Sequence, residues 1–266
     1  MLTLKSITRN TLKAPRIVLY GVPGIGKTTL AACAEAPVFL QTEDGLGGID
    51  APAFPQAQNY GDILGAMAAL INEPNDYQTV VLDSLDKLEP LLWEQTCADN
   101  GKKHIEDFGF GKGYQYAASE WRRLLNGFDI LREQGKTIVL IGHSTVVRFE
   151  SPEVDAYDRY QLRLHKLAEA TVVDWADCVL FANSKVTAVT SGERKRGVGD
   201  GSRVLLTTER PAWRAKNRYA LPDQIPVPTG NPQSAWNIIM HAIANVATAT
   251  NLSETQPNNS NQTESN

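Results

Sequence analysis

Cysteine and histidine are scarce in this chain, three and four in 266 residues. Cys33, Cys97 and Cys178 stand far apart, with no C-x-x-C pair and no histidine at ligand spacing. That pattern excludes a disulfide framework or a zinc site and predicts reduced thiols. The histidines are equally scattered, so no metal is expected beyond one held together with a nucleotide. No stretch approaches the roughly 18 apolar residues that a membrane helix needs. The opening "MLTLKSITRN" has no signal-peptide apolar centre. These features predict a cytoplasmic protein with no membrane partner. There is no internal repeat, and the 42% hydrophobic content suits one sizeable core.

Charge is unevenly distributed. Between Lys185 and Arg218 nine basic residues face three acids, while the whole chain carries a net charge of −4. An acidic body with one basic segment suits a localised anionic partner or, equally, a solvated charged hairpin. From residue 247 the sequence turns to "TATNLSETQPNNSNQTESN", a polar composition that predicts a disordered tail behind a folded core of residues 1–246.

The stretch with the most specific chemistry is "GVPGIGKT". It fits G-x-x-x-x-G-K-[ST] position by position: Gly21, Val22, Pro23, Gly24, Ile25, Gly26, Lys27 and Thr28, with Thr29 following. Glycines let successive N–H groups curl around a polyphosphate, Lys27 can reach its outer phosphates, and the Thr28 hydroxyl can ligate Mg²⁺. An apolar run, "RIVLY", precedes the loop and a helical stretch follows, as this chemistry requires. Downstream, "TVVLDS" reads as a buried strand that delivers Asp83 beside the loop as a second Mg²⁺ group. ATP with Mg²⁺ is the expected ligand.

Neither a lid arginine cluster nor an N-K-x-D base reader is present, so small-molecule kinases and GTPases fit less well. Instead the strand "VFLQTE" ends in Glu43, placed to polarise the water that attacks the γ-phosphate, with Asp44 as its rival. Patterning along the chain gives strands at 16–20, 37–42, 79–83 and from 137 to His143. Helices are expected over 27–35, 61–72, 85–99 and 114–135. Residues 100–113 and 144–163 read as loops. A helix at 164–175, a strand from 177, a basic hairpin over 185–208 and a helix at 231–247 complete the order. This is an α/β fold, a three-layer core with a mostly parallel sheet and a C-terminal antiparallel hairpin.

Phosphate loop, "LQTED", "VVLDS" and "VLIGH" together resemble the RecA/Rad51 ATPase core. "FGFGKGY" and "DWADCVLFA" resemble more closely the phage core-only single-strand annealing proteins. The resemblance covers residues 14 to 228. It implies an ATPase stimulated by single-stranded DNA, acting in recombination or annealing as a homo-oligomeric ring or filament. It assigns Glu43 as general base, Asp83 to the metal and His143 to γ-phosphate sensing, although the family usually has Gln there. In "WRAKNRYALP", Lys216 and Arg218 match two basic residues that reach a neighbouring subunit's nucleotide. The alternative for that pair is a charged edge strand.

Two loops match the family's DNA-facing loops. The first offers Lys102, Lys103, His104, Phe108, Phe110 and Lys112, cations for phosphates and rings for bases. The second offers Arg148, Phe149, Tyr157, Arg159, Tyr160 and Arg163 among the acids Glu150, Glu153, Asp155 and Asp158. The alternative for each is a surface loop with packed aromatics. A rival class is an ATPase that assembles other proteins, such as a helicase loader or packaging accessory, without a DNA groove.

Overall fold

The computed structural model describes residues 3–6, 12–191 and 194–252. Its centre is a parallel array of β1 (Arg16–Gly21), β2 (Pro37–Gln41), β3 (Thr79–Asp83), β4 (Thr137–Phe149) and β6 (Cys178–Ser191). β7 (Arg194–Leu206) and β9 (Gln224–Val227) extend it antiparallel, in the order β2-β3-β4-β1-β6-β7-β9. β5 (Tyr157–Leu162) pairs with β4, and the two-residue β8 (Lys216–Asn217) pairs with β6. The inner strands are continuously apolar because both faces are covered. Val18 and Tyr20 of β1 face one apolar cluster, and Ile17 and Leu19 face the other.

The first cluster lies under α2 (Tyr60–Asn72), α3 (Leu85–Asp99), α4 (Lys112–Glu133) and α5 (Lys166–Trp175). The second lies under α1 (Lys27–Ala31) and α6 (Pro232–Leu252). The three-layer α/β architecture and its antiparallel end therefore match the sequence reading. Boundaries shift in places. α1 ends at Ala31 rather than near 35, and α6 runs through Leu252, past the limit set for the core. Residues 253–266 of the expected tail lie outside the described residues, as do residues 192–193 within the expected basic hairpin.

Residues 144–163 are not a loop. β4 continues through Phe149 and pairs antiparallel with β5, so most of the segment is a hairpin. Alternation in "STVVRF" and "YDRYQL" carries the strands; Val146 is paired with Tyr160 across the hairpin, and Tyr160 packs on Phe181 at 5.0 Å between ring centroids. This corrects the assignment of Arg159 to DNA. Arg159 is 5% exposed, pairs with Glu209 and lies over the Phe149 ring. A guanidinium so enclosed does not face an external phosphate. Phe149, Tyr157 and Tyr160 are likewise packing groups.

At the opposite edge of the sheet from the phosphate loop, Asp177 ties the N-terminal ends of the strands together. Its carboxylate takes Arg16 at 2.9 Å, Arg132 at 3.1 Å and Arg218 at 3.2 Å. Burial alone would raise this carboxyl, but the hydrogen bonds and charge of Arg16, with the charge of Arg132, hold it below the usual range. Asp177→Asn leaves the mostly buried Arg132 without its carboxylate and Arg16 with Asp129 alone, and should cost about 3 kcal/mol in denaturant unfolding at neutral pH. A carboxyl with a depressed folded pKa stabilises above its unfolded pKa, and that contribution fades as the pH falls through the folded value. Wild type and variant should therefore converge in acid. A gap that persists there, or none at pH 7, removes this role.

Candidate nucleotide site

β1 ends at Gly21 because nothing larger fits: a Cβ there would lie 2.1 Å from the Ala182 carbonyl oxygen of β6. The chain then curls, with Gly24 at φ 74° and Gly26 at φ 97°, left-handed values that glycine adopts without penalty. Ile25 anchors the loop in the apolar cluster beneath α1, while Pro23, Gly24 and Thr29 stay exposed. Lys27, the first residue of α1, is buried and donates to the carbonyl oxygens of Gly21 (3.2 Å) and Val22 (3.1 Å). Burial depresses its pKa, opposed by the charges of Asp83, Asp86 and Glu43. Its ammonium is thus folded over its own loop among carboxylates.

Beside it, the Thr28 hydroxyl donates to Asp83 at 2.7 Å. Asp83 is buried, which raises its pKa against the hydrogen bond from Thr28. Hydroxyl and carboxylate side by side next to an anion loop are the hard oxygen donors that Mg²⁺ takes. Among the described residues no group of three or more His, Cys, Asp or Glu could hold a metal alone. The donor set fits a Mg²⁺ that completes its shell with phosphate and water. When bound, that ion supplies charge neutralisation between the outer phosphates. The protein's part would be to present the Thr28 hydroxyl and the Asp83 carboxylate side by side.

Glu43 is fixed by its neighbour. The buried Thr42 hydroxyl donates to the Ser84 carbonyl (2.8 Å) and accepts from the Ser84 N–H (2.7 Å), while the Thr42 N–H donates to the Asp83 carbonyl at 2.8 Å. This clasp draws the end of β2 onto the end of β3 and brings Glu43 to the site. Asp44 is exposed. His143 pairs in register with Gly21, so it stands level with the start of the loop. Its Nδ1 lies 4.0 Å from Glu43 and 3.0 Å from Asp86, whose carboxylate also accepts the His143 backbone N–H at 2.9 Å. Arg163, set beside DNA by the resemblance, instead donates to Asp86 through Nε (3.2 Å) and Nη2. Burial would raise the Asp86 carboxyl, but hydrogen bonds from the His143 ring and Arg163 outweigh it and hold it far below the usual carboxylate range.

Asp86, Thr42 and Arg163 were thus missed as site residues. An Asp in the first turn of α3, after a strand that ends in Asp83, was the available signal. The ionised Asp86 fixes Nδ1 as a donor, which leaves Nε2 as the free nitrogen. The arrangement gathers a carboxylate, a cation and an oriented imidazole around one loop.

A family model described as an AAA domain matches residues 13–219. The chain belongs to the AAA domain family. A curated relative, the SPbeta prophage-derived uncharacterized protein YorG of Bacillus subtilis (strain 168), is 24% identical over 220 residues, covering 80% of this chain and 63% of that protein. The chain therefore spans less than two thirds of that relative's length. An AAA domain is a nucleotide-hydrolysing P-loop ATPase domain, and such domains typically use ATP and Mg²⁺. No helix among the described residues is long and apolar enough to cross a membrane.

The remaining sequence-assigned residues lie elsewhere. Lys216 and Arg218 occupy the far edge of the AAA domain. Lys216 donates to the carbonyls of Val173 (2.9 Å) and Asp174 (2.8 Å) at the end of α5, and Arg218 pairs with Asp177. Asn217 pairs with Cys178 and so with Ile17, near the start of β1. Four residue steps along β1, from Ile17 to Gly21, separate them from the start of the loop, about 13 Å at roughly 3.3 Å per residue. Lys102, Lys103, Phe110 and Lys112 are exposed, and Arg148 is exposed beside Asp158 at 3.5 Å. Phe108 is half-buried and packs on Tyr116 at 5.3 Å between centroids.

Three substitutions test the site. Lys27→Ala should abolish ATP hydrolysis. Glu43→Gln should retain nucleotide binding and lose about 10²-fold or more in rate. Asp86→Asn should lower the rate about tenfold or more by freeing the His143 ring, with a changed pH profile. Full turnover in Lys27→Ala, or an Asp44→Asn loss with Glu43→Gln unaffected, overturns these assignments.

Proposed function

We propose that this AAA domain is a RecA/Rad51-like ATPase that binds single-stranded DNA in recombination or strand annealing. The observation that carries the reading is Phe110. It is 102% exposed, at φ 48°, between Gly109 (φ 70°) and Gly111 (φ 69°). Three consecutive left-handed residues hold an aromatic ring in water, which apolar burial disfavours unless a partner takes it. Exposed Lys102, Lys103 and Lys112 surround it in sequence, the pairing of cations and ring that suits phosphates and bases.

The loop is built rather than slack. Asp107 accepts from the His104 N–H (2.9 Å) and Lys103 N–H (3.2 Å), and a Cβ on Gly113 would lie 2.1 Å from the Ile105 carbonyl oxygen. Contacts also lead from this loop towards the candidate nucleotide site. Tyr114 stacks on His165 at 4.0 Å, and the His165 N–H donates to Glu89, one turn along α3 from Asp86. Through Glu106 and Tyr114 the loop thus packs towards the helix that orients His143. This supports stimulation of hydrolysis by DNA. The rival reading, an assembler of other proteins, is favoured by the acids around Arg148 on the β4–β5 hairpin.

Replacing Lys102, Lys103 and Lys112 together should weaken binding of a labelled oligonucleotide for all sequences and flatten its salt dependence. Phe110→Ala should cost about 1–3 kcal/mol of affinity without loss of melting temperature. Wild-type protein with no oligonucleotide binding at low salt overturns the DNA reading in favour of the protein-assembly one.

The same proposal includes a homo-oligomer in which Lys216 and Arg218 complete a neighbour's site. Their distance from their own loop supports it, since they have no route to act in cis. Mixing Lys27→Ala protein with the Lys216→Ala/Arg218→Ala variant should restore part of the activity that each lacks. No recovery in a mixture shown to co-assemble ends the trans assignment.

A further inference from the structure

The phosphate loop has a cation against it that belongs to none of its motifs. Arg203 lies on β7, in register with Ser184 of β6 and Val227 of β9. On β6, Ala182 pairs with Gly21. Arg203 therefore stands just beyond the level at which β1 gives way to the loop. Alternation fixes its face. Leu205, two residues on, is buried in the cluster beneath α1 and α6, so Arg203 points to the side of the sheet that carries the loop.

The contact is direct. Arg203 Nη1 lies 2.8 Å, and Cζ 3.8 Å, from the position a Cβ on Gly26 would occupy. Gly26 is thus a glycine for two reasons, its left-handed φ and the guanidinium laid across it. Among the described residues no carboxylate or other acceptor holds this half-buried group. A partly desolvated guanidinium that takes no acceptor among the described residues, set against a loop shaped for anions, suits an anion.

Strand order tells which part of the anion it meets. Glu43, Asp83 and His143 come from β2, β3 and β4, on one side of β1, and Asp86 follows β3. Arg203 comes from β7, on the other side, beyond β6. The terminal phosphate belongs with the metal donors and the general base. The opposite end of the polyphosphate, next to the nucleoside, falls towards β6 and β7. We infer that Arg203 is a nucleotide-binding residue that grips the nucleoside-proximal phosphates, holding ADP and ATP alike, with its guanidinium over Gly26. The inference rests on the assignment of this loop as the nucleotide site. It differs from a terminal-phosphate finger, which would release its hold on ADP.

The test is calorimetric titration of Mg²⁺–ADP and of a non-hydrolysable ATP analogue into wild type, Arg203→Ala, Arg203→Gln and Arg203→Lys. Loss of a charge-assisted contact should weaken both ligands equally, by about tenfold to a hundredfold, in the Ala and Gln variants. Lysine should recover part of the affinity, since it keeps the charge without the fork. Melting temperatures without nucleotide identify a variant that has lost its fold, and the others then decide. ADP affinity unchanged in a folded Ala or Gln variant overturns the inference, whether or not the ATP analogue weakens. Failure of the underlying assignment reads differently. A wild type that binds neither ligand, or a Lys27→Ala variant that binds both as tightly, removes the site itself and Arg203 with it.

Discussion

A buried ammonium at the start of α1 decides what surrounds it. Lys27 cannot sit in the interior as a lone charge, because desolvation penalises the cation heavily. Two loop carbonyls accept its protons, and Asp83, Asp86 and Glu43 supply the countercharge. Those three acids cannot all face a polyphosphate unopposed. Asp83 is matched by the Thr28 hydroxyl and the metal chemistry it invites, and Asp86 is consumed by His143 and Arg163. Glu43 is left half-exposed, without a tight ion pair, which suits the proposed role of taking a proton from water. The site's division of labour thus follows from neutralising one lysine in three ways.

The same accounting links the outer hairpin to the chemistry. β4 carries His143 and continues beyond the sheet, and β5 returns to deliver Arg163 onto the same Asp86. A force on the hairpin therefore pulls on both ligands of one carboxylate. Packing makes the root stiff: Tyr160 lies on Phe181, which lies on Tyr20 at 4.9 Å between centroids. The Tyr20 hydroxyl in turn donates to the carbonyl of Arg214, in the segment that leads to Lys216. Such a column transmits displacement because its members have no free volume to absorb it.

Local chemistry was legible in the sequence, and long-range pairing was not. The glycine pattern, the apolar runs that end in Asp83 and His143, and the helix after the loop are set by neighbours within a few residues. Their order alone gave the three-layer sheet. The β4–β5 hairpin escaped because its alternation is interrupted by exposed acids, which resemble loop composition. Arg159 looked like a surface cation because its partner, Glu209, lies far along the chain. Arg203 and Gly26 are also distant in sequence, and only the β1–β6–β7 register brings them together. The short β9 was masked by Pro226, which an edge strand tolerates.

The far edge of the sheet obeys a different constraint. Asp177 there receives three guanidiniums, and the two most buried, Arg16 and Arg132, come from the chain's own core elements. Arg218 is the third, and its side chain is 53% exposed. A carboxylate with several donors can release one without being orphaned, whereas a single buried pair cannot. Lys216 is similarly replaceable, since the carbonyls it caps end a helix and can turn to water. The two residues proposed to act on a neighbour are therefore held by contacts whose loss leaves no buried charge behind. Arg16, on the same Asp177, could not leave at comparable cost. A trans-acting pair has to be drawn from groups the fold can spare, and at this edge Lys216 and Arg218 are such groups.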